Sequence, residues 1–295
     1  MLRITRVLAP NADIYTLDGT NTWVIGEDPS IVIDPGPSIA SHLAEVARVA
    51  GRVAAVLVTH DHPDHAPGAA ELARMVGAPL HAWRLNEAER IRDRQVFHGG
   101  GFALTAIHTP GHTSDHVVFH EAQEGALFTG DAVVGRGTSF IDPPDGDLTQ
   151  YLRSLRLMQE LAPRTIYPGH GPVVFRAKDK LQEYVEHRAE REHQVVEALA
   201  GGSRTIEQIV EVIYAGYPAQ VLPLAARSVL AHLLKLEGEG AVARSGKGES
   251  AAWSVAVPRA CARCGKPVRG RARYCSTCSL IILQEGGADA SAADA

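Results

Sequence analysis

An apolar run that leads directly into a histidine-rich loop is the feature that most constrains how this chain can fold. Residues 53–58 (VAAVLV) have the continuous apolar pattern of a strand buried on both faces, and residues 59–65 (THDHPDH) follow at once. Pro63 prevents a helix from continuing through the loop. Imidazole and carboxylate groups are the usual ligands of zinc and related metals. The sequence therefore predicts a metal site at the carboxyl end of a buried strand.

The composition is that of an ordinary globular protein. Its 295 residues, 45% of them hydrophobic and 21% charged, are enough for two domains or for one domain with accessories. The net charge of −5 argues against attraction of the whole surface to nucleic acid, although it leaves room for a local basic patch. The sequence has no apolar run of transmembrane length and no apolar signal segment near its N-terminus, so we expect a cytoplasmic protein without a membrane partner.

Strand and helix patterns alternate through the first 200 residues, which indicates an α/β domain. Gly201 and Gly202 follow a long charged helix and mark the best domain boundary. Two helical segments and a hairpin come next and predict a small winged-helix-like unit. The predicted units are a main domain at 1–200, the winged-helix-like domain at 201–257, a cysteine module at 258–284 and a disordered acidic tail at 285–295.

Polar residues that favour helix N-termini precede two of the predicted helices. The helical spacing from Ile39 to Val49 places Ser38 or Ser41 at its start as the N-cap. Asp147 precedes a second helical stripe and is the expected cap there. A further helix is expected from about Pro67 to Val76.

Metal-ligand side chains recur where three later strands are predicted to end. They are His112 in PGHT, Asp131 in GD and His170 in PGHG, each beside a glycine. Glycine and proline allow the sharp turns that would direct such side chains into one cleft. A single histidine is more often a satisfied core or surface residue, but four coincident strand ends are hard to explain in that way.

The strand-end side chains are sufficient for two metal ions. His60, His62 and His112 would form one site. Asp64, His65 and His170 would form the second, with Asp131 between the two. A pair of ions about 3.5–4 Å apart can hold a bridging hydroxide, which forms because metal binding lowers the pKa of water from about 15.7 towards 7. Asp64 would both ligate and orient that hydroxide as a catalytic residue. The ions could be zinc, manganese or iron, since such ligands accept several metals.

The order of these motifs resembles the metallo-β-lactamase superfamily over roughly residues 5–200. The resemblance implies an αββα four-layer sandwich of two mixed sheets, with the site at one edge of the sheets, and a metal-dependent hydrolase. Other segments are similar to the β-lactamase-like protein 2 branch, namely GTNT at 19–22, GRGT at 135–138, YPGHGP at 167–172 and AHLLKLE at 231–237. That branch includes a single-strand-specific endoribonuclease, so RNA phosphodiester cleavage is implied. Asp131 at the bridging position, in a core without cysteine, is similar to the glyoxalase II and nuclease members rather than to β-lactamases with a cysteine ligand.

All four cysteines lie in the C-terminal part of the chain. The spacing Cys261-x2-Cys264-x10-Cys275-x2-Cys278 forms two Cys-x-x-Cys knuckles, which is typical of a structural zinc site with four thiolates, a zinc knuckle or ribbon. Residues 258–274 also hold six basic side chains and no acidic one. They form either a solvated basic surface or a contact with a nucleic-acid backbone.

Several residues outside this set are weaker candidates. His116 could donate a proton to the leaving group, or could have a supporting or surface role instead. Arg136 is a candidate to face the cleft. His187, Arg188 and Arg191 share a helix face, and they could contact a phosphate or pair with neighbouring glutamates.

Three functions remain open from the sequence. The first is a dinuclear metal hydrolase that cleaves single-stranded RNA or another phosphodiester. The second is a thioester hydrolase of the glyoxalase II type, which would use the same ligands on a small ester or thioester. The third is a nucleic-acid-binding module with a vestigial metal site, which the complete ligand set disfavours. The sequence determines neither the substrate nor the oligomeric state.

Overall fold

Two mixed β-sheets form the centre of the first compact unit, Met1–His187. The computed structural model describes residues 2–248, 251–256, 259–268 and 278 of the chain. The first sheet has six strands in chain order: β1 (Ile4–Leu8), β2 (Asn21–Ile25), β3 (Ser30–Ile33), β4 (Val53–Leu57), β5 (Leu80–Ala82) and β6 (Glu89–Arg90). Strands β1 to β3 pair antiparallel, whereas β3 to β6 pair parallel.

The second sheet has five strands, and each lies beside its neighbour in the chain. Its strands are β7 (Val96–His98), β8 (Ala103–His108), β9 (Val117–Glu121), β10 (Ala126–Gly130) and β11 (Thr165–Pro168). Only β10 and β11 pair parallel. The short strands β5, β6 and β7 were not expected from the sequence.

The main core lies between the two sheets. One buried cluster joins Trp23, Ile31, Ile33 and Leu57 of the first sheet to Leu104, Ala106, Phe119 and Phe128 of the second. Removing each large side chain of this kind from water stabilises the fold by about 1.5–3 kcal/mol. The alternate residues of the first sheet, such as Val24, Val32 and Val56, pack with helices α1 (Ala40–Ala50) and α2 (Ala69–Val76). Because these strands are covered on both faces, their sequences read as continuous apolar runs.

Helices complete the αββα arrangement. Helix α3 (Leu148–Glu160) buries one stripe, which contains Leu148, Tyr151, Leu155 and Met158. The expected cap of this helix is confirmed, since Asp147 accepts a hydrogen bond from the backbone N–H of Gln150 at 2.9 Å.

The expected cap of α1 is wrong. The N-cap residue is Ile39, and no side chain caps the helix. Ser38 donates its hydroxyl proton to Glu71 at 2.9 Å instead, because the first turn of α1 lies beside α2 and offers that stronger, charged acceptor. Helix α2 begins at Ala69, two residues later than expected.

The second compact unit, Arg188–Ala295, contains the winged-helix arrangement that the sequence predicts. Its elements are the C-terminal part of α4 (Ala177–Leu199), α5 (Ile206–Ile213), a short 3-10 helix (Ala219–Val221), α6 (Leu222–Gly238) and the hairpin β12 (Val242–Ser245) and β13 (Ala252–Val255). Helix α5 begins with a capping box in which Thr205 and Gln208 bond to each other's backbone N–H groups. Trp253 of the hairpin is buried against Val195, Ile209, Val229 and Leu233.

A small antiparallel pair, β14 (Arg259–Ala260) and β15 (Pro267–Val268), follows the winged helix. The predicted tail at 285–295 lies outside the described residues. None of the helices that the structure describes combines the length and apolarity needed to cross a bilayer.

Candidate metal centre

Strand β4 ends at a loop that the preceding parallel strand holds in place. Asp34, which follows β3, accepts hydrogen bonds from the Thr59 backbone N–H at 2.7 Å and from the Thr59 hydroxyl at 2.8 Å. His62 then closes a turn, because its carbonyl accepts from the N–H groups of His65 and Ala66 at 3.0 and 3.1 Å. These bonds fix the histidine loop at the carboxyl edge of the first sheet.

His60, His62, His112 and Asp131 form the first cluster of potential ligands. One donor atom from each lies within 4.8 Å of all the others. His62 Nδ1 is 2.9 Å from His60 Nε2 and 3.2 Å from His112 Nε2. Asp131 Oδ2 is 3.8 Å from His112 Nε2. Three imidazole nitrogens and one carboxylate oxygen therefore converge on one point.

The second cluster consists of Asp64, His65, Asp131 and His170, again within 4.8 Å. His170 Nε2 is 3.0 Å from Asp64 Oδ2 and 3.2 Å from both His65 Nε2 and Asp131 Oδ1. Asp131 thus directs one oxygen to each cluster. The structure brings together all seven side chains that the sequence identifies as ligands, with Asp131 shared between the two groups.

The outer nitrogens of these rings are already engaged with the protein. His65 Nδ1 donates to Asp34 at 2.9 Å, His112 Nδ1 to the Phe140 carbonyl at 2.7 Å and His170 Nδ1 to the Gly19 carbonyl at 3.3 Å. These partners assign the N–H to Nδ1, so that each Nε2 is left to face the centre.

The donor set fits metal ions. Asp131 Oδ1 is buried and accepts no hydrogen bond of good geometry, although His65 and His170 form ion-pair contacts with it at 3.4 and 3.2 Å. Converging nitrogens and an unsatisfied buried carboxylate oxygen are what two cations would stabilise. Nitrogen and carboxylate donors suit zinc, manganese and iron.

Burial and charge divide the histidines into two kinds. Burial lowers the pKa of His112 to about 4 and holds the pKa of His60 well below its ordinary value. Burial also acts to lower the pKa of both His65 and His170, but the nearby carboxylates outweigh it, those of Asp131 and Asp34 for His65 and those of Asp131 and Asp64 for His170. As a result the pKa of His65 lies well above its ordinary value, and that of His170 is about 9. His60 and His112 therefore offer neutral imidazoles, whereas a metal ion must displace protons from His65 and His170.

The two carboxyl groups are ionised at neutral pH. Burial acts to raise the pKa of Asp131, and the His65 and His170 charges outweigh it and hold that pKa well below the ordinary value. The pKa of Asp64 is lowered in the same way by its hydrogen bonds with His170 and His65, against the effect of burial.

Glycines permit the close approach of the strand ends. A Cβ on Gly169 would lie 2.6 Å from Asp131 Oδ1 and 2.7 Å from His65 Cε1. Gly130, which precedes Asp131, has φ +45°, and a Cβ there would lie 2.5 Å from Thr59 Oγ1. The bridging carboxylate can therefore occupy its place only because both neighbours lack side chains.

His116 lies behind the centre rather than in the cleft. It is fully buried, its Nδ1 is 3.1 Å from the Thr109 hydroxyl, and its ring is 5.1 Å from that of His60. A proton donor must touch the leaving group, so the expected role of His116 as a catalytic acid does not fit this position. Its burial also contradicts a surface role, and a supporting role remains a prediction.

The candidate arginines have other contacts. Arg136 is exposed and pairs with Asp18 at 3.2 Å. Arg191 stacks over Tyr214 at 4.4 Å and donates to Gln194 at 2.9 Å, and Arg188 is buried. His187 is half-buried. Arg136 and His187, which belong to the same compact unit as the ligands, do not lie among the seven.

Two acidic residues next to the ligands were missed from the sequence. Asp34 orients His65, and Asp115 accepts a hydrogen bond from the backbone N–H of Asp61 at 3.1 Å. The signal for Asp34 is its position directly after the apolar strand β3, in the turn motif Asp34-Pro35-Gly36.

The cysteine module is described in part. The sulfur atoms of Cys261, Cys264 and Cys278 lie within 4.8 Å of one another, and Cys261 and Cys278 are buried. The first knuckle is closed by a hydrogen bond from the Cys261 N–H to the Lys266 carbonyl at 2.8 Å, and Gly265 takes φ +70° in this turn. Cys275 lies outside the described residues.

Comparison with known proteins gives two family matches. The model of the metallo-beta-lactamase superfamily matches residues 15–82 and 79–170, a span that includes all seven ligands. The model of the beta-lactamase associated winged helix domain matches residues 205–253.

Curated relatives match most of the chain. An atrochrysone carboxyl ACP thioesterase of Aspergillus chevalieri is 34% identical over 86% of this chain and 87% of its own length. A beta-lactamase-like protein 2 homolog of Drosophila melanogaster is 31% identical over 80% of this chain and 88% of its own length. Among solved structures, a beta-lactamase domain protein from Burkholderia ambifaria superposes with a TM-score of 0.74 at 21% identity, over 86% of this chain and 91% of that one.

Proposed function

The chain belongs to the metallo-β-lactamase superfamily of hydrolases, and from that premise we propose that it hydrolyses thioesters with the help of two bound metal ions. The observation behind the proposal is the pair of donor clusters that share Asp131. His60, His62 and His112 would hold one ion, and Asp64, His65 and His170 the other. When bound, such ions supply Lewis acidity, which polarises a carbonyl group and lowers the pKa of water.

Asp64 is the residue that we assign to orient the attacking water. Its side chain is 23% exposed, against 14% for Asp131, so it borders the cleft rather than the core. It is ionised at neutral pH, since hydrogen bonds with His170 and His65 keep its pKa low against the effect of burial. A carboxylate in that position accepts a hydrogen bond from water and directs the oxygen towards a bound carbonyl carbon.

A thioester is favoured over other substrates by two observations. Relatives named ACP thioesterases are 34% identical to the chain over most of its length. In addition, Ile14 and Tyr15 are 58% and 60% exposed on the loop that leads to Gly19, whose carbonyl accepts from His170. Exposed apolar side chains on the loop that leads to this contact with His170 suit an acyl chain.

Thiol release from acyl thioesters tests this proposal. Zinc- or manganese-loaded protein is expected to release thiol from acyl-coenzyme A or acyl-N-acetylcysteamine, and Asp64→Asn to lower the rate at least about 100-fold. Asp179→Asn, which removes an exposed carboxylate on α4, is the matched control and should leave the rate unchanged. Equal rates for wild type and Asp64→Asn on every thioester, including S-lactoylglutathione, would refute the proposal.

Cleavage of single-stranded RNA is the second candidate. Its support is the similarity to beta-lactamase-like protein 2 homologs and the presence of a winged helix. Labelled oligoribonucleotides, incubated with the same two variants, distinguish it from thioester hydrolysis. Cleavage that is lost in Asp64→Asn, together with inert thioesters, would establish RNA as the substrate class. The third function, a nucleic-acid-binding module with a vestigial metal site, requires that Asp64→Asn change neither the thioester nor the RNA reaction.

We also propose that the cysteine module holds one structural zinc ion. Three sulfur atoms already lie within 4.8 Å, and the sequence supplies Cys275 as the fourth thiolate. Zinc content should fall by one ion per chain in a Cys261→Ser/Cys278→Ser variant and remain unchanged in Ser245→Ala. Contact of the basic side chains around this module with nucleic acid is a separate proposal, and a gel-shift titration against salt tests it.

A further inference from the structure

The turn after β5 lies at the same edge of the first sheet as the metal centre. Strands β4 and β5 are parallel neighbours, and the Val58 N–H donates to the His81 carbonyl at 3.0 Å where both strands end. The histidine loop follows β4, and Trp83 and Arg84 follow β5. The turn therefore borders the same cleft.

A cavity of about 270 Å³ lies in this turn. Its lining residues are Ala82, Trp83, Arg84, Leu85, Asn86 and Arg90. Trp83 is held rigidly, since its ring stacks on His108 at 3.8 Å between centroids with an angle of 6°. His108 ends β8 of the other sheet, four residues before the ligand His112. The Trp83 ring thus joins the turn after β5 to the end of β8.

The cavity is positively charged. Arg84 and Arg90 are exposed, and within the part of the chain that the structure describes neither forms an ion pair. Glu89, the neighbour of Arg90, contacts His81 at 3.6 Å instead. The Arg90 guanidinium lies 5.9 Å from the centre of the Trp83 ring, so its orientation is partly fixed. Two guanidinium groups and the Asn86 amide are hydrogen-bond donors with no acidic group among the lining residues.

We propose that this cavity binds the phosphate of a substrate whose thiol leaving group is carried on a phosphate ester, such as a phosphopantetheine arm. The assignment rests on the proposed thioesterase function. Paired guanidinium groups bind phosphate through several charge-assisted hydrogen bonds, and the rigid Trp83 ring gives an apolar wall for the arm. The location beside the cleft would anchor the leaving group while the acyl carbonyl reaches the metal centre.

Calorimetric titration of the metal-loaded full chain tests the cavity directly. The probes are 4′-phosphopantetheine and pantetheine, which differ only by the phosphate. Wild type is expected to bind the phosphorylated probe at least about tenfold more tightly, because each charge-assisted bond contributes roughly that factor. An Arg84→Gln/Arg90→Gln variant should bind both probes within about twofold of each other. Arg74→Gln, an exposed arginine at the end of α2, is the matched control and should retain the difference.

The outcomes separate the cavity from the catalytic function. Equal binding of the two probes by wild type, or a preference that persists in the double variant, would overturn the proposal. So would an arginine dependence found only with an oligoribonucleotide, which would assign the cavity to an RNA backbone. A phosphate preference that is lost in the double variant supports the cavity even if every thioester is inert, and in that case only the thioesterase proposal is refuted.

Discussion

The imidazole of His65 donates its Nδ1 proton to the buried carboxylate of Asp34 at 2.9 Å. The same carboxylate also accepts from the Thr59 backbone and hydroxyl. One acidic residue at the end of β3 therefore fixes both the orientation of a ligand ring and the start of the histidine loop. Such partners of metal-binding histidines usually contribute 10- to 100-fold to metal affinity, by the order of magnitude found in other sites.

Asp34→Asn should weaken metal binding about 10- to 100-fold. Asp34 has φ +51°, a conformation that asparagine tolerates, so the backbone should be retained. The amide can still accept from the Thr59 N–H, but its NH₂ group would then face the His65 N–H, and two donors cannot bond to each other. The measurement is zinc competition against a chromophoric chelator. Asp179→Asn serves as the control, and an affinity equal to that of wild type in Asp34→Asn would show that the ring needs no such partner.

The metal ligands could be predicted from the sequence because each follows a strand signal and a turn residue within a few positions. Asp34 could not be assigned in the same way. It acts on His65 across 31 residues, and only the parallel pairing of β3 and β4 brings the two together. His116 shows the complementary difficulty, because its full burial depends on packing behind His60 and a hydropathy pattern interprets histidine as polar.

The limits of the fold prediction have a related cause. Strands β5 to β7 have two or three residues each, too few for a periodic pattern to be recognised. They nevertheless place Trp83 against His108. The cap of α1 was wrong because Ser38 bonds to a side chain of another helix, a contact that local sequence rules do not include.

Gly169→Ala should disrupt the bridging position without altering the fold. The new Cβ would meet Asp131 Oδ1 at 2.6 Å and His65 Cε1 at 2.7 Å, so at least one ligand must move. A displacement of about 1 Å at a reacting centre can cost on the order of 100-fold in rate. Metal content and thiol release are measured together. Gly238→Ala on α6, where a Cβ meets nothing within 4 Å, is the control, and normal activity with two ions bound in Gly169→Ala would contradict the assigned geometry.

Glu192 should make the stability of the second unit depend on pH. Its carboxylate accepts from Lys235 at 3.0 Å and lies 3.8 Å from His232 Nδ1. Burial acts to raise the pKa of Glu192, but the nearby His232 and Lys235 side chains outweigh it, so the pKa is lower in the folded state. A depressed carboxyl pKa stabilises above the ordinary value of 4.5, and this contribution is lost as the pH falls through the folded pKa.

Glu192→Gln should therefore lower the free energy of unfolding by about 1 kcal/mol at pH 7, and the difference from wild type should shrink below pH of about 4.5. Urea unfolding at several pH values, followed by tryptophan fluorescence, to which the buried Trp253 of this unit contributes, gives both quantities. Glu211→Gln removes an exposed glutamate of the same unit and should show no such difference. A constant gap between Glu192→Gln and wild type from pH 7 to pH 4 would exclude the ion pair as its cause.

Removal of metal should destabilise the first unit, because the converging nitrogens of His62 and His112 and the buried Asp131 oxygen are then left without a cation. A ligand at about 1,000 times its dissociation constant stabilises a protein by about 4 kcal/mol, so a dinuclear centre should raise the melting temperature by several degrees.

The cysteine module would contribute its own zinc dependence. The comparison is therefore made in a Cys261→Ser/Cys278→Ser background, with and without His62→Ala. Zinc should raise the melting temperature of the cysteine variant, and the added His62→Ala substitution should remove most of that increase. If zinc does not raise the melting temperature of the Cys261→Ser/Cys278→Ser variant, the zinc-dependent stability arises from the cysteine module and not from the seven-residue centre.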